Sequence, residues 1–246
     1  MRRVLGQRVF ELFHRVIQGV EETEGPRIKE AARKIVERVV AGGAVHLFDT
    51  GHLVDRELVH RAGGLALWRP LRWTFEVTNP VRARECGAPA AADPVQLVEC
   101  VLDASSVVPG DVLIVGSVSG KSPVPVQMAL GAKARGLFVI AVTSPGYSGQ
   151  LEAEHPSGKR LFEVADLVLD NQAPYGDAAL DVPGLEDKLV PASGIGAVAI
   201  MWALTAEVTE ALVDRGLTPS IYGSINRPGT ARGNRRAEER YERHGW

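Results

Sequence analysis

Apolar positions near the start of the chain recur at helical spacing. Val9, Leu12, Phe13, Val16, Ile17 and Val20 share one face, and Ile28, Ala31, Ile35, Val36 and Val39 resume the pattern after Gly25-Pro26. The proline predicts two amphipathic helices rather than one. Their stripes cover a core or a subunit interface. The period then shortens. Residues 44–48, 112–115 and 137–142 are short, apolar and rich in β-branched side chains, as expected of parallel strands covered on both faces. Residues 167–169 predict a fourth strand and 188–190 a fifth. Helices are predicted from about Leu53 to Arg61, closed by Gly63-Gly64, over residues 95–102, from Pro123, and from Ser193-Gly194 to about Asp214. The segment 65–94 holds Trp68, Pro70, Trp73, Pro80 and Pro89 and follows neither period. A lid, an interface arm and a crossover are all compatible with it.

Strands alternating with helices argue for a doubly wound parallel sheet. Ligands of such sheets lie beyond the carboxyl ends of the strands. Thr50, Ser117, Thr143 and Ser193 fall at those ends or at the helix starts that follow. The richest junction is Gly116-Ser-Val-Ser-Gly-Lys-Ser122-Pro123. Gly116 and Gly120 allow close approach of a ligand, Ser117, Ser119 and Ser122 supply short hydroxyl donors, and Lys121 could neutralise an anion or face solvent. Ser122 can cap the next helix, with Pro123 at its first position. A helix N-terminus favours an anion, so phosphate is the expected guest. Only three residues separate Gly116 from Gly120, one fewer than the nucleotide P-loop requires, and the dinucleotide fingerprint is absent. A single terminal phosphate fits better than a polyphosphate.

Composition removes several classes. A chain of 246 residues with net charge −2 gives no general reason to expect nucleic acid or an anionic membrane as partner. The two cysteines, Cys86 and Cys100, are too few for a disulfide framework or a metal cluster, which predicts a reducing cytoplasm and no metal. No redox cofactor is expected. The most apolar run, residues 194–204, is too short to span a bilayer and reads as a core helix. Arg2 and Arg3 precede an amphipathic segment, not the apolar core of a secretory signal. The tail from Arg227 to Trp246 interleaves arginine with Glu238, Glu239 and Glu242, which reads as a solvated or interface helix more readily than as a nucleic-acid surface.

The segment Ser117-Val-Ser-Gly-Lys-Ser122 resembles the Ser-x-Ser-Gly-x-Ser/Thr signature of SIS (sugar isomerase) domains. Arg61-Ala-Gly-Gly64, Pro109-Gly-Asp-Val-Leu113, Val139-Ile-Ala-Val-Thr-Ser144, Ser157-Gly-Lys-Arg-Leu161, Ala165-Asp166 and Gly176-Asp-Ala-Ala-Leu180 are similar to a bacterial branch described as phosphosugar or phosphoheptose isomerases. The resemblance spans roughly residues 43 to 226. It implies a three-layer α/β/α sandwich with a five-stranded parallel sheet, a flavodoxin-like SIS fold, forming a homodimer or homotetramer with its site near the subunit interface. Residues 1–42 would then be N-terminal helices, 43–216 the phosphosugar-binding domain and 217–246 a C-terminal arm. It further implies that Ser117, Ser119, Gly120, Lys121 and Ser122 meet a phosphorylated sugar, with Ser193 at the family's Ser/Thr position of a later helix start. Relatives often carry Gly-Ser-Gly-His-Ser in the first loop, where this chain has Leu47-Phe-Asp-Thr-Gly-His52, leaving Thr50 as the nearest hydroxyl.

Aldose–ketose isomerisation through an enediol needs a base for the proton alpha to a carbonyl and an acid for the oxygen. The region after the first strand offers His52, Asp55, Glu57 and His60. Glu57 matches a Glu of the related branch and is the expected base, against the alternative of a helix pair with Arg61 at i+4. His52 is expected to polarise a sugar oxygen. His155 lies in a loop that either reaches a neighbouring subunit's site or stays on the surface. A phosphosugar-binding or sensor module without turnover, and a lyase acting on a phosphorylated amino sugar, are the other readings.

Overall fold

The computed structural model describes residues 4–51, 55–76, 78, 80, 82 and 92–246. Five strands, β1 (Val45–Asp49), β2 (Trp68–Pro70), β3 (Val112–Gly116), β4 (Phe138–Thr143) and β5 (Leu167–Asp170), form one parallel sheet in the order β2-β1-β3-β4-β5. Period-two alternation divides the central strands between two layers. Val112 and Ile114 of β3 join Ile140 and Val142 of β4 in one core, whereas Leu113 and Val115 join Val139 and Ala141 in the other. The first core is covered by α1 (Leu5–Val40) and α7 (Ser193–Val213). The second lies under α3 (Pro94–Ala104), α4 (Pro123–Ala134) and α6 (Leu161–Val164). Every residue of β3 is buried, which is why its sequence is an unbroken apolar run. Each of the side chains from Val112 to Val115 stabilises the fold by about 1.5–3 kcal/mol relative to exposure. The architecture is the α/β/α sandwich expected from the sequence.

Two expectations about elements are corrected. The two N-terminal helices are one 36-residue helix with Pro26 inside it. The buried stripe Val20, Glu24, Ile28, Ala31 and Ile35 runs past the proline unbroken, and Pro26 itself faces outward, so packing carries the helix through. Glu24 and Arg27 also cover the open edge of β5: Glu24 Oε2 accepts from the Asp170 amide (3.1 Å) and Arg27 donates to the Val168 carbonyl (3.4 Å). The fifth strand is β2, not the run 188–190. Val45 to Leu47 of β1 register with Trp68 to Pro70, Trp68 is fully buried, and its indole N–H donates to Thr205 Oγ1 at 3.2 Å. Pro70 is tolerated because the strand lies at the sheet edge. The run near 188 instead lies in β7 (Leu189–Pro191), antiparallel to β6 (Ala178–Leu180), outside the main sheet. Of the helix expected after β1, the described part is α2 (Asp55–Leu58).

The 21-residue α7 is, among the described residues, the one helix long and apolar enough to cross a membrane by length and composition. It lies along α1 with Ala197, Ile200, Met201 and Leu204 in the core. Gly196 permits its approach to β5, since a Cβ there would meet the Asn171 carbonyl oxygen at 2.0 Å. The arginine-rich tail forms α8 (Thr230–His244), joined to β2 where Arg69 donates to Glu238 at 2.8 Å and its guanidinium lies 3.7 Å from the Tyr241 ring centre. The Tyr222 hydroxyl donates to the other oxygen of Glu238. Tyr241 and Trp246 pack against the first core.

Candidate functional site

The chain leaves β1 to one side to form β2 and returns on the other side as β3. A crevice therefore opens between the carboxyl ends of β1 and β3, where ligands of open parallel sheets bind. Thr50, immediately after β1, and Ser117, Val118, Ser119 and Ser122, after β3, line a cleft of about 410 Å³ there, with Tyr147 and Asp177 completing its described wall. That volume falls in the range of small-molecule sites.

The loop from 117 to 122 is built with its two polarities separated. The carbonyls of Gly116, Val118, Gly120 and Lys121 are engaged with the body of the protein. Gly116 O accepts from the Thr50 amide and hydroxyl (3.2 and 3.1 Å), and Val118 O from the Ser144 amide and the Thr143 hydroxyl (3.1 and 3.0 Å). Gly120 O accepts from the Leu161 amide (2.8 Å) and Lys121 O from the Glu154 amide (3.0 Å). The amides of Val118 through Ser122 have no acceptor among the described residues, nor do the hydroxyls of Ser117, Ser119 and Ser122 have a partner there. Donors are left uncommitted beside the cleft while these four acceptors are tied down behind it, a polarity that suits an anion. Ser122 is the N-cap of α4, yet its side chain makes no capping bond, so its hydroxyl remains available. Pro123 and Pro125 bring no N–H, leaving Val124 the amide donor of the first three helical positions. The uncommitted donors thus belong to loop amides and hydroxyls more than to the helix end.

The sequence-identified residues divide between wall and support. Gly120 supports: its φ is +53°, and a Cβ there would lie 2.9 Å from Leu161 Cβ and 3.2 Å from Thr143 Oγ1. Lys121 turns to Glu154 (Nζ to Oε1, 2.5 Å), which raises its pKa. Thr143 is fully buried, with its hydroxyl spent on Val118 O. Ser193 is buried and donates from Oγ to Asp177 Oδ2 at 2.8 Å, reaching the cleft only through that carboxylate. Glu57 accepts from Arg61 at 2.9 Å and is not part of the described lining. His52 lies outside the described residues. His155 is buried against α4, with Nδ1 2.8 Å from Ser157 Oγ and Nε2 2.8 Å from Gln127 Oε1, and burial pushes its pKa down. Among the described residues no group of three or more His, Cys, Asp or Glu side chains could hold a metal ion.

Two wall residues escaped the sequence reading. Tyr147 follows the Ser144-Pro145-Gly146 turn as part of α5 (Pro145–Ser148), its ring edge-on to Tyr175 with centroids 5.3 Å apart. Asp177 sits in a left-handed backbone conformation (φ +63°) just before β6, and its Oδ1 accepts from the amides of Ala192 and Ser193 (3.1 and 2.8 Å). The Gly176-Asp177 pair signals a turn. Nothing in the local sequence shows that this turn closes on the start of α7. Asp177 and Tyr147 are the titratable groups of the described wall, and no cation belongs to it.

Comparison with known proteins agrees with this geometry. The family model described as the SIS domain matches residues 10–144. A UPF0309 protein of Streptomyces griseus is 36% identical over 240 residues, covering 96% of this chain and 95% of that one. Among solved structures, the phosphoheptose isomerase of Neisseria gonorrhoeae superposes with a TM-score of 0.50 at 16% identity, covering 83% of this chain and 98% of its own. The sugar isomerase domain of an RpiR transcription factor from Sphaerobacter thermophilus does so with a TM-score of 0.50 at 17% identity, covering 98% and 99%.

Proposed function

Because the chain belongs to the SIS domain family, we propose that it binds a phosphorylated sugar in the cleft between β1 and β3 and interconverts its aldose and ketose forms through an enediol. The observation that carries the binding step is the loop 117–122, where the Val118, Gly120 and Lys121 carbonyls are held from behind while five amides and three hydroxyls have no partner among the described residues. A terminal phosphate on that loop leaves the sugar body between Thr50, Tyr147 and Asp177. For the chemistry, Glu57 and His52 remain the proposed base and acid. Both belong to the segment that follows β1 in sequence. The apolar side chains exposed on α1, Phe10 and Ile17, and the groove that Ile17, Val20 and Ile28 form with Ala199 and Ala203 of α7, support self-association as part of the same reading.

A second reading is a phosphosugar sensor without turnover. Its support is the wall, where Asp177 is the only carboxylate among the described residues and Glu57 is engaged by Arg61. Fold alone does not choose, since an enzyme and a transcription-factor domain share it. A thermal-shift panel of pentose 5-phosphates, hexose 6-phosphates and heptose 7-phosphates, followed by an interconversion assay on each stabilising compound, separates the readings. Turnover supports the isomerase; stabilisation without turnover leaves the sensor; no stabilisation by any phosphate ester rejects both. Ser119→Ala is expected to weaken binding of the best ligand by about 1.5–3 kcal/mol, the worth of a hydrogen bond to a charged group. Unchanged affinity in calorimetry would count against the loop.

A further inference from the structure

We infer that Asp177 is a specificity residue that selects the sugar body by accepting a hydrogen bond from one of its hydroxyls; this rests on the phosphosugar reading above. An ionised carboxylate offers about four acceptor positions. Three are filled by the protein: the Ala192 and Ser193 amides on Oδ1 (3.1 and 2.8 Å) and the Ser193 hydroxyl on Oδ2 (2.8 Å). One position on Oδ2 is left, on a side chain that forms part of the cleft wall. The phosphate end of the same wall consists of donors, so an acceptor there is poorly suited to the phosphate and well suited to a sugar O–H.

The placement is built. Asp177 holds a φ of +63°, a backbone region that non-glycine residues rarely occupy and that concentrates at functional sites. The Asp177 amide donates to Pro174 O at 2.9 Å and its carbonyl accepts from Ala192 at 3.1 Å, so backbone and side chain are fixed together on the start of α7. This explains the burial of Ser193: its hydroxyl sets the carboxylate rather than meeting a ligand. A rigid single acceptor discriminates sharply. A ligand with an O–H at that point completes the carboxylate, whereas one that covers it without an O–H displaces water from the oxygen and leaves it unpartnered.

The test compares inorganic phosphate with the tightest-binding member of a panel of pentose 5-phosphates and hexose 6-phosphates, by calorimetry on the full chain. Asp177→Asn keeps an acceptor for the two amides but turns the open position into an N–H donor. The expected result is at least tenfold weaker sugar phosphate binding with inorganic phosphate affinity within about twofold of wild type. Ser193→Ala, which leaves the charge and frees Oδ2 from its anchor, is expected to reduce the preference for sugar phosphate over inorganic phosphate in the same direction, and it serves if Asp177→Asn does not fold. Unchanged preference in the folded variants overturns the inference, as does a parallel loss of both ligands. Failure of wild type to bind either compound rejects the phosphosugar reading itself, a result distinguishable from the failure of Asp177 alone.

Discussion

His155 shows how a single side chain braces the 117–122 loop from outside the cleft. The Ser157 amide donates to Nδ1 at 3.0 Å, so the proton of the neutral ring is on Nε2, which donates to Gln127 Oε1; the Gln127 amide in turn donates to Glu99 at 2.5 Å. The segment fixed this way supplies the Glu154 and Leu161 amides that hold Lys121 O and Gly120 O. Burial puts the imidazole pKa below its ordinary value near 6.5. Below that value the unfolded chain binds the proton more readily than the folded one, so stability falls as pH drops from 6.5 towards the folded pKa and is restored above it. Urea unfolding at pH 7.5 and 5.5 is expected to show a larger loss for wild type than for His155→Gln. Gly120→Ala adds a Cβ in a left-handed conformation and against Leu161, and is expected to cost about 2–4 kcal/mol, read as a lowered Tm. The contiguous hydroxyls after β3 were legible in sequence because neighbours on one loop stay neighbours in space. The same side-chain type at Thr143 and Ser193 gave no hint of which way its hydroxyl turns. That direction is set by the Val118 carbonyl and the Asp177 carboxylate, both contributed by other segments.

At the scale of elements, packing set the outcome where local signals were ambiguous. The proline in α1 argued for a break, yet the buried positions on either side keep helical phase, and a long face against α7 outweighs one lost hydrogen bond. Replacing exposed Pro26 by alanine is expected to stabilise the protein by about 1–3 kcal/mol. It restores an i to i−4 bond, partly offset by a more flexible unfolded chain, and chemical denaturation would measure the difference. The central strands were readable because burial on both faces makes them continuously apolar. β2 was not, for it has three residues, ends in proline, and is defined by where Trp68 docks rather than by any period. β7 misled in the opposite sense: three apolar-flanked residues fit a strand without revealing which sheet receives it.

For the whole molecule, the sheet order could be inferred only as a class, since which side of β1 the chain first visits is decided by side chains far apart in sequence. One of those ties is the cluster of Arg69, Tyr222, Glu238 and Tyr241, which joins β2 to α8. Burial raises the pKa of Glu238, but bonds from Tyr222 and Arg69 outweigh it and hold the carboxyl below its ordinary value. Glu238→Ala strands both partners and is expected to lower stability by about 1–3 kcal/mol in thermal unfolding while phosphate affinity is retained, because no residue of the cluster belongs to the described cleft wall.

The described cleft wall is furnished with neutral donors and one carboxylate, and Lys121 beside it is occupied by Glu154. Sites that hold phosphate through arginine or lysine lose affinity steeply as ionic strength rises, because counterions screen the attraction. Here little such attraction exists to be screened. Ligand affinity measured from 50 to 500 mM sodium chloride is therefore expected to stay nearly level, which would let the protein hold its ligand across wide swings in the salt content of its surroundings.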